Sequence, residues 1–240
     1  RVGCHCTEAD TTQRHLAYVR ERGKTAYCNL MMTHMASKET LVEECRKMES
    51  YGAQGVILMD SAGAYLPGDV TQKFETLVPS LKIPVGFHAH NNLGMAVANT
   101  IAAVEAGARI VDGTARGFGA GAGNTQLEVL VAVLEKMGYS TGIDLYKLLD
   151  ATDLVQEKLV KTLPNITSVS IVSGLSGVFS GFVKHVERIA TQYGVDPRDV
   201  FFELGRRKVV AGQEDLIIEV AMNLVAARNM DAGACSRKTS

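Results

Sequence analysis

Residues 84–94 read PVGFHAHNNLG, a short apolar run that ends in two histidines and then a glycine. Apolar runs of this length, without polar alternation, are typical of strands buried on both faces of a parallel sheet. Four other runs share this character, and longer segments with helical patterns separate them. The five predicted strands are 2–6, 25–32, 55–60, 84–90 and 109–114.

The segments between these strands predict amphipathic helices. Ser37 is a suitable N-cap, and apolar residues follow it at helical spacing until Gly52. A regular alternation of strands and helices implies a parallel sheet with helices outside it, joined by right-handed crossovers. The clearest apolar stripes are Leu41, Cys45 and Met48; Leu93, Val97, Ile101 and Val104; and Leu127, Val131, Leu134 and Met137.

After Gly138 the strand pattern stops. Residues 166–172 (ITSVSIV) predict a short strand or a linker, and 231–240 show no periodicity and predict a flexible tail. The chain therefore divides into a β/α domain at 1–140 and a helical domain at 141–230. The predicted helices of the second domain are 144–161, 177–193, 196–206 and 213–229.

About five β/α units are fewer than the eight that close a barrel. The sequence therefore predicts a partial (β/α)8 TIM barrel followed by a small helical C-terminal domain. A doubly wound sheet is the alternative, but it is expected to carry a glycine-rich phosphate loop after its first strand. Residues 5–10 (HCTEAD) contain no glycine there. The glycine-dense segment 117–124 (GFGAGAGN) follows the fifth strand, where we expect a loop over the mouth of the barrel.

Composition narrows the classes of function. The 240 residues carry a formal net charge of −1, which argues against a nucleic-acid-binding protein. No apolar run approaches the ~20 residues that a membrane helix needs. The five cysteines are odd in number and irregularly spaced, so we expect reduced, mostly buried thiols and a cytoplasmic protein.

His88 and His90 are the strongest candidates for chemistry. Residues i and i+2 of a strand face the same side, so both imidazoles are expected at the carboxyl end of the sheet, where barrel active sites lie. Two neutral imidazoles suit a divalent metal such as Zn, Mn or Fe, and two satisfied histidines on a polar loop are the alternative. Asp60 and Asp112 end neighbouring strands. Either could ligate the metal, orient an imidazole or cap the next helix.

Three weaker candidates surround this pair in the predicted mouth. The small residues of 60–64 (DSAGA) could let backbone N–H groups contact an anion, or they could simply form a tight turn. Asn124 could reach the metal or cap the next helix, and capping is the simpler reading. His34 follows the second strand and could face the same mouth.

Several segments, taken in order, resemble the 4-hydroxy-2-oxovalerate and 4-hydroxy-2-oxohexanoate aldolases. These enzymes belong to a metallolyase barrel superfamily that also contains isopropylmalate and homocitrate synthases and hydroxymethylglutaryl-CoA lyase. The HxHxN pattern marks the superfamily, and 176–180 (SGVFS) with 212–215 (GQED) indicates the aldolase branch. The other matching segments are HCTEAD, LMMTHM at 30–35, DSAGA, GFHAHNNLG and GAGAGN.

The resemblance implies a catalytic barrel and a helical domain that docks an acylating acetaldehyde dehydrogenase. It implies retro-aldol cleavage of 4-hydroxy-2-oxoacids to pyruvate and an aldehyde, in aromatic or steroid catabolism. The metal in this family is usually Mn²⁺, with Zn²⁺, Co²⁺ or Mg²⁺ as alternatives. By match, His88 and His90 are metal ligands, Ser61 binds the pyruvate carboxylate and Asn124 lies near the metal.

The chain departs from the family pattern in three places. No Arg-Asp-Gly motif is present, although in the family this region supplies the third metal ligand, a substrate-binding Arg and the catalytic His. We expect those residues in a segment before Arg1, and hence an N-terminally truncated chain. Phe179 stands where the family has a Tyr that contacts substrate, and Ala211 stands where a Gly often lines the channel.

Two other functions remain open at this stage. The HxHxN and GxGN patterns also fit a Claisen-type enzyme that condenses an acyl-CoA with a 2-oxoacid. The missing first strands and Phe179 also fit a truncated, non-catalytic chain that binds a partner. Five barrel strands leave two unpaired edges, so we expect the chain to form oligomers or to aggregate.

Overall fold

The computed structural model describes the backbone of residues 1–236 and the side chains as far as residue 230. Its centre is a five-stranded parallel sheet in which the strands are neighbours in chain order. The predicted alternation of strands and helices is confirmed. The strands are β1 (Val2–His5), β2 (Cys28–Met31), β3 (Val56–Asp60), β4 (Val85–Ala89) and β5 (Ile110–Val111).

Helices connect consecutive strands and cover one face of the sheet. The Ser37 cap is confirmed, because its Oγ accepts a hydrogen bond from the Thr40 N–H at 3.2 Å. Four of the cysteines are free and buried in this half of the molecule, as expected. The helices are α1 (Gln13–Glu21), α2 (Lys38–Ser50), α3 (Pro67–Leu77), α4 (Ala96–Glu105) and, after β5, α5 (Leu127–Lys136).

The strand register gives the sheet two different faces. Leu30, Leu58 and Phe87 are aligned across three strands and are fully buried in the core beneath the helices. Met59 and His88 are paired one position further along and are only partly buried. Because side chains alternate along a strand, His88 lies on the face opposite to the helices.

Helix α4 buries a different face from the predicted one. The buried Asn99 donates from Nδ2 to the Tyr65 carbonyl at 2.8 Å, and the hydroxyls of Thr100 and Thr125 lie 3.0 Å apart. Small and hydrogen-bonded residues face the sheet because they let the helix approach closely, a preference that apolar periodicity does not detect. The predicted stripe is therefore wrong: Leu93 precedes the helix, while Val97, Ile101 and Val104 are only half-buried.

The remaining residues form a second, helical region with its own core, as predicted. Phe182, Val186, Phe201 and Leu204 are among its fully buried side chains. The last helix continues into the segment expected to be a tail, and 237–240 lie outside the described residues. The helices are α6 (Leu145–Lys158), α7 (Ser168–Ser176), α8 (Val183–Tyr193), α9 (Pro197–Arg206) and α10 (Asp215–Ser236).

The start of α7 corrects two predictions. Thr167 Oγ1 accepts from the Ser170 N–H at 3.1 Å, and Ser170 Oγ accepts from the Thr167 N–H at 2.8 Å. This reciprocal capping box begins a helix inside ITSVSIV, whose alternating pattern had indicated a strand or a linker. The helix ends at Gly177, which has a left-handed conformation with φ of 66°. The helix predicted at 177–193 therefore begins only at Val183.

Across the described residues, no helix combines the length and the apolar character needed to cross a membrane.

Candidate active site

The two histidines of the HxH pattern lie together at the carboxyl end of β4. The ring centroids of His88 and His90 are 5.3 Å apart, and the rings are nearly perpendicular at 77°. His88 is half-buried, whereas His90 is 8% exposed. The i, i+2 spacing therefore places both imidazoles on one side, as the sequence predicted.

Asp112 holds the ring of His88. His88 Nδ1 and Asp112 Oδ1 lie 2.5 Å apart, and the Arg1 guanidinium contacts the other carboxylate oxygen. Burial by itself would raise the pKa of Asp112, but the hydrogen bonds and charges of His88 and Arg1 outweigh burial and hold this pKa below its ordinary value. Of the three roles considered for Asp112, the geometry shows the acceptor that orients an imidazole.

Asp60 has a different role, although it ends a neighbouring strand. Its carboxylate is fully buried and accepts from the N–H groups of Ala64 at 2.9 Å and Tyr65 at 3.2 Å. Burial raises the pKa of Asp60 to about 7, and these backbone N–H groups offset part of that rise. The side chain closes the turn after β3, so small residues at 60–64 form a tight turn here.

His90 presents an unused nitrogen inside the protein. Its Nδ1 is buried and has no hydrogen-bond partner among the described residues. Burial, together with a smaller contribution from the neighbouring His88, lowers the pKa of His90 to about 4. The imidazole is therefore neutral at physiological pH, which is the form that ligates a metal.

This donor set fits part of a divalent metal site. A neutral imidazole with a free buried nitrogen, beside a second imidazole braced by a carboxylate, provides two suitable ligands. Within the described residues, no group of three or more His, Cys, Asp or Glu side chains forms a metal site. A catalytic metal site normally has three protein ligands, and His88 and His90 are two candidates for that role.

Asn124 lies beside His90 and does not cap the next helix. The two residues form an isolated antiparallel bridge. Asn124 Nδ2 donates to the Phe118 carbonyl at 3.2 Å, whereas Oδ1 is buried and has no hydrogen-bond partner in the part of the chain that the structure describes. Helix α5 has Gln126 as its N-cap, so the capping prediction is wrong. The unpartnered oxygen leaves the alternative, contact with a metal, open.

Ser61 is fully buried behind the histidines. Its Oγ accepts from the Met32 N–H at 2.9 Å and still holds a proton that it can donate. Its carbonyl accepts from the Ser180 N–H at 2.9 Å. Met32 adopts a left-handed conformation with φ of 56°, so the Ser61 hydroxyl stabilises an unfavourable backbone geometry at the end of β2.

The loop after α7 covers the same end of the sheet. His34 donates from Nε2 to the Gly177 carbonyl at 2.8 Å, so it connects the end of β2 to the helical region. Burial lowers the pKa of His34, although its contact with Gly177 partly opposes the change. Phe179 lies between these contacts, with its ring packed edge-on against Phe182 at 5.7 Å. Ala211 lies in the turn before α10.

Asn92 is the Asn of the HxHxN pattern, although the sequence predicted no separate role for it. It is fully buried, and its Nδ2 donates to the Ala62 carbonyl and to Ser180 Oγ, both at 2.9 Å. Its Oδ1 accepts from the Ala122 N–H at 2.9 Å. The HxHxN pattern was the available signal, but a pattern cannot show which distant segments the side chain joins.

Comparison with known proteins identifies the group of enzymes to which this site belongs. The HMGL-like family matches residues 5–155, and the DmpG-like communication domain matches residues 164–226. The 4-hydroxy-2-oxovalerate aldolase of Spirochaeta aurantia is 63% identical over 229 residues, which cover 95% of this chain and 67% of that protein. The chain belongs to the 4-hydroxy-2-oxovalerate aldolase family.

Other members of this family agree closely with the chain. The aldolase of Pectobacterium atrosepticum is 62% identical, with 95% of this chain and 66% of that protein covered. The aldolase of Streptomyces tendae is 60% identical, with 98% of this chain and 66% of that protein covered. The chain thus spans about two thirds of the length of these relatives. The resemblance found in the sequence is confirmed.

Solved structures support the same architecture. The carboxyl transferase domain of Rhizobium etli pyruvate carboxylase is similar, with a TM-score of 0.79 and 18% identity over 95% of this chain and 42% of that chain. The N-terminal domain of a putative aldolase from Bacteroides vulgatus has a TM-score of 0.69 at 22% identity, over 81% of this chain and 64% of that chain. At these identities the likeness concerns the fold alone.

Proposed function

We propose that this chain carries the metal-binding histidines and the docking domain of a 4-hydroxy-2-oxovalerate aldolase. This activity splits a 4-hydroxy-2-oxoacid into pyruvate and an aldehyde, a reaction used in aromatic and steroid catabolism. The observation that carries the proposal is the placement of His88 and His90 side by side, with a free buried nitrogen on His90. The family match supports it.

The residues at the mouth have distinct roles in this proposal. His88 and His90 would hold a divalent metal, for which Mn²⁺ is our choice. Such a metal acts as a Lewis acid on the negative charge that develops as the C–C bond breaks. The Ser61 hydroxyl would donate a hydrogen bond to the pyruvate carboxylate, because its oxygen already accepts one from the Met32 N–H. The loop at 177–182 would exclude water from this end of the sheet.

The rest of the machinery is proposed to lie outside this chain. About a third of the length of these relatives lies outside the match, and no Arg-Asp-Gly motif is present here. We assign the third metal ligand, the substrate-binding Arg and the His that removes the 4-hydroxyl proton to that additional part. The domain division at 1–140 and 141–230 follows the same proposal, with catalysis in the first part.

The helical domain is proposed to dock an acylating acetaldehyde dehydrogenase. The support is the match of residues 164–226 to a DmpG-like communication domain. We also propose self-association. Within the described sheet, β1 and β5 each pair with a single neighbour, so both leave backbone groups unpaired at an edge.

A coupled assay tests the aldolase proposal. The chain is expressed behind the N-terminal third of the Spirochaeta aurantia aldolase, and this fusion is called the chimera. Pyruvate release from 4-hydroxy-2-oxovalerate is followed with lactate dehydrogenase and NADH, with and without Mn²⁺. We expect Mn²⁺-dependent release by the chimera, reduced by about 10²-fold or more in His88→Ala and His90→Ala.

The controls separate this function from its competitors. The intact Spirochaeta aurantia aldolase shows that the assay detects the reaction, and circular dichroism shows that each variant is folded. A folded, Mn²⁺-loaded chimera that releases no pyruvate would contradict the proposal. Free thiol released from acetyl-CoA and a 2-oxoacid would favour a condensing enzyme, and neither product would favour a non-catalytic chain.

A further inference from the structure

The contact between His88 and Asp112 joins two neighbouring strands at the mouth of the sheet. Phe87 on β4 pairs with Val111 on β5, so the next residue of each strand, His88 and Asp112, lie opposite each other. The ring nitrogen Nδ1 and the carboxylate Oδ1 are 2.5 Å apart. Both side chains are partly shielded from solvent, with 16% and 24% of their surface exposed.

This contact determines which nitrogen of His88 carries hydrogen. An ionised carboxylate accepts hydrogen bonds and cannot donate one, so Nδ1 must be the N–H nitrogen. In the neutral ring the lone pair is then confined to Nε2. Without the carboxylate both tautomers are accessible, and only one of them offers Nε2 to a metal.

Arg1 restrains the carboxylate from its other side. The guanidinium contacts Oδ2, whereas His88 contacts Oδ1, so each oxygen of Asp112 has one partner. A carboxylate held at both oxygens has little freedom to rotate, which in turn restrains the plane of the imidazole.

His90 provides a useful contrast within the same site. No carboxylate contacts its ring among the described residues, and its Nδ1 has no hydrogen-bond partner. Burial restrains this ring instead, since the residue is only 8% exposed. His88 is more exposed, with 16% of its side-chain surface accessible, and its ring has a hydrogen-bond partner in Asp112.

We propose that Asp112 is a positioning residue that holds His88 in the Nδ1–H tautomer and directs Nε2 toward the metal. The inference rests on the proposed function only in taking a divalent metal as the ligand. In other proteins, loss of a residue that hydrogen-bonds to a metal ligand typically weakens metal binding by about 10- to 100-fold.

Two measurements on the chimera test the role of Asp112. Long-range ¹H–¹⁵N NMR on metal-free, ¹⁵N-histidine-labelled protein reports the tautomer of His88, and His88→Gln assigns its signals. We expect protonated Nδ1 and unprotonated Nε2 in the parent chimera, and a mixture of tautomers in Asp112→Ala. Electron paramagnetic resonance of free Mn²⁺ gives the Kd, which should rise about 10- to 100-fold in Asp112→Ala and less in Asp112→Asn.

Asp150→Asn is the matched control. Asp150 is exposed on α6 and makes no hydrogen bond among the described residues, so the substitution changes the charge equally without touching the site. Its tautomer spectrum and its Kd for Mn²⁺ should equal those of the parent.

Clear outcomes would overturn the inference. These are a metal-free parent in which His88 carries hydrogen on Nε2, or an Asp112→Ala variant that binds Mn²⁺ as tightly as the parent. The first outcome needs no variant, so misfolding of Asp112→Ala leaves the test intact. A parent with the expected tautomer that releases no pyruvate would contradict the aldolase proposal alone.

Discussion

Asn92 Nδ2 lies 2.9 Å from Ser180 Oγ, and this hydrogen bond joins the loop after β4 to the helical region. The same amide also contacts Ala62, after β3, and Ala122, in the glycine-rich loop. One fully buried side chain therefore holds three separate segments around the two histidines. Asn92 lies two positions after His90 in the chain.

Replacing Asn92 should destabilise the protein strongly. Asn92→Ala leaves the Ala62 carbonyl, the Ala122 N–H and the Ser180 hydroxyl without this partner in the interior, at a cost of about 2–4 kcal/mol. Urea denaturation measures the free energy of unfolding. The control is Asn91→Ala: among the described residues, the Asn91 side chain accepts one hydrogen bond, from the Ala96 N–H at 3.2 Å, and its loss should cost about 1 kcal/mol. Equal losses in both variants would argue against the connecting role of Asn92.

His90 should make the metal-free protein less stable in mild acid. Its folded pKa of about 4 lies below the ordinary 6.5, so only the unfolded state gains this proton between these values. The stabilising contribution is complete above pH 6.5 and is lost as pH falls toward 4, by about 3 kcal/mol at most. Denaturation in EDTA at several pH values, compared with His90→Gln, isolates the effect.

The comparison with His90→Gln also removes a second contribution to the pH dependence of stability, which has the opposite sign and comes from Asp60. The pKa of Asp60 is raised to about 7, so its protonation favours the folded state as pH falls. Asp60 is present in both proteins and cancels in the difference. Parallel pH profiles for the two proteins would show that His90 is not buried in its neutral form.

Two glycine substitutions should have opposite effects. A Cβ at Gly119 would lie 2.4 Å from Asn124 Nδ2, so Gly119→Ala should displace that side chain and cost about 1–3 kcal/mol. A Cβ at Gly68, in the first turn of α3, would have nothing within 4 Å. Gly68→Ala should therefore be neutral or stabilising by up to about 1 kcal/mol. Thermal unfolding checks both, and destabilisation by Gly68→Ala would contradict the expected packing.

Phe179→Tyr should improve catalysis by the chimera. The family resemblance implies a substrate-contacting Tyr at this position, and one regained hydrogen bond of about 1 kcal/mol corresponds to a several-fold rise in kcat/KM. The neighbouring Phe182 is fully buried, so Phe182→Tyr would bury an extra hydroxyl and lower the melting temperature instead. A Phe179→Tyr variant with unchanged kcat/KM and stereochemistry would show that this position does not contact substrate.

The sheet and the histidine pair followed from local sequence patterns. Short apolar runs separated by helical stripes specify parallel strands because burial on both faces requires apolar side chains in succession. Strand geometry then places His88 and His90 on one side, whatever the surroundings. The Ser37 cap was equally predictable, since its hydrogen bond spans three residues.

Only the tertiary structure decided the partners of these residues. Asp60 and Asp112 occupy equivalent positions in the sequence pattern, yet one closes a turn and the other holds His88, because strand register determines which side chains meet. Asn92 belongs to the HxHxN pattern, but only the fold shows that its partner is Ser180 of the helical region. Local patterns determine elements and their faces, whereas contacts between distant segments depend on how the whole chain packs.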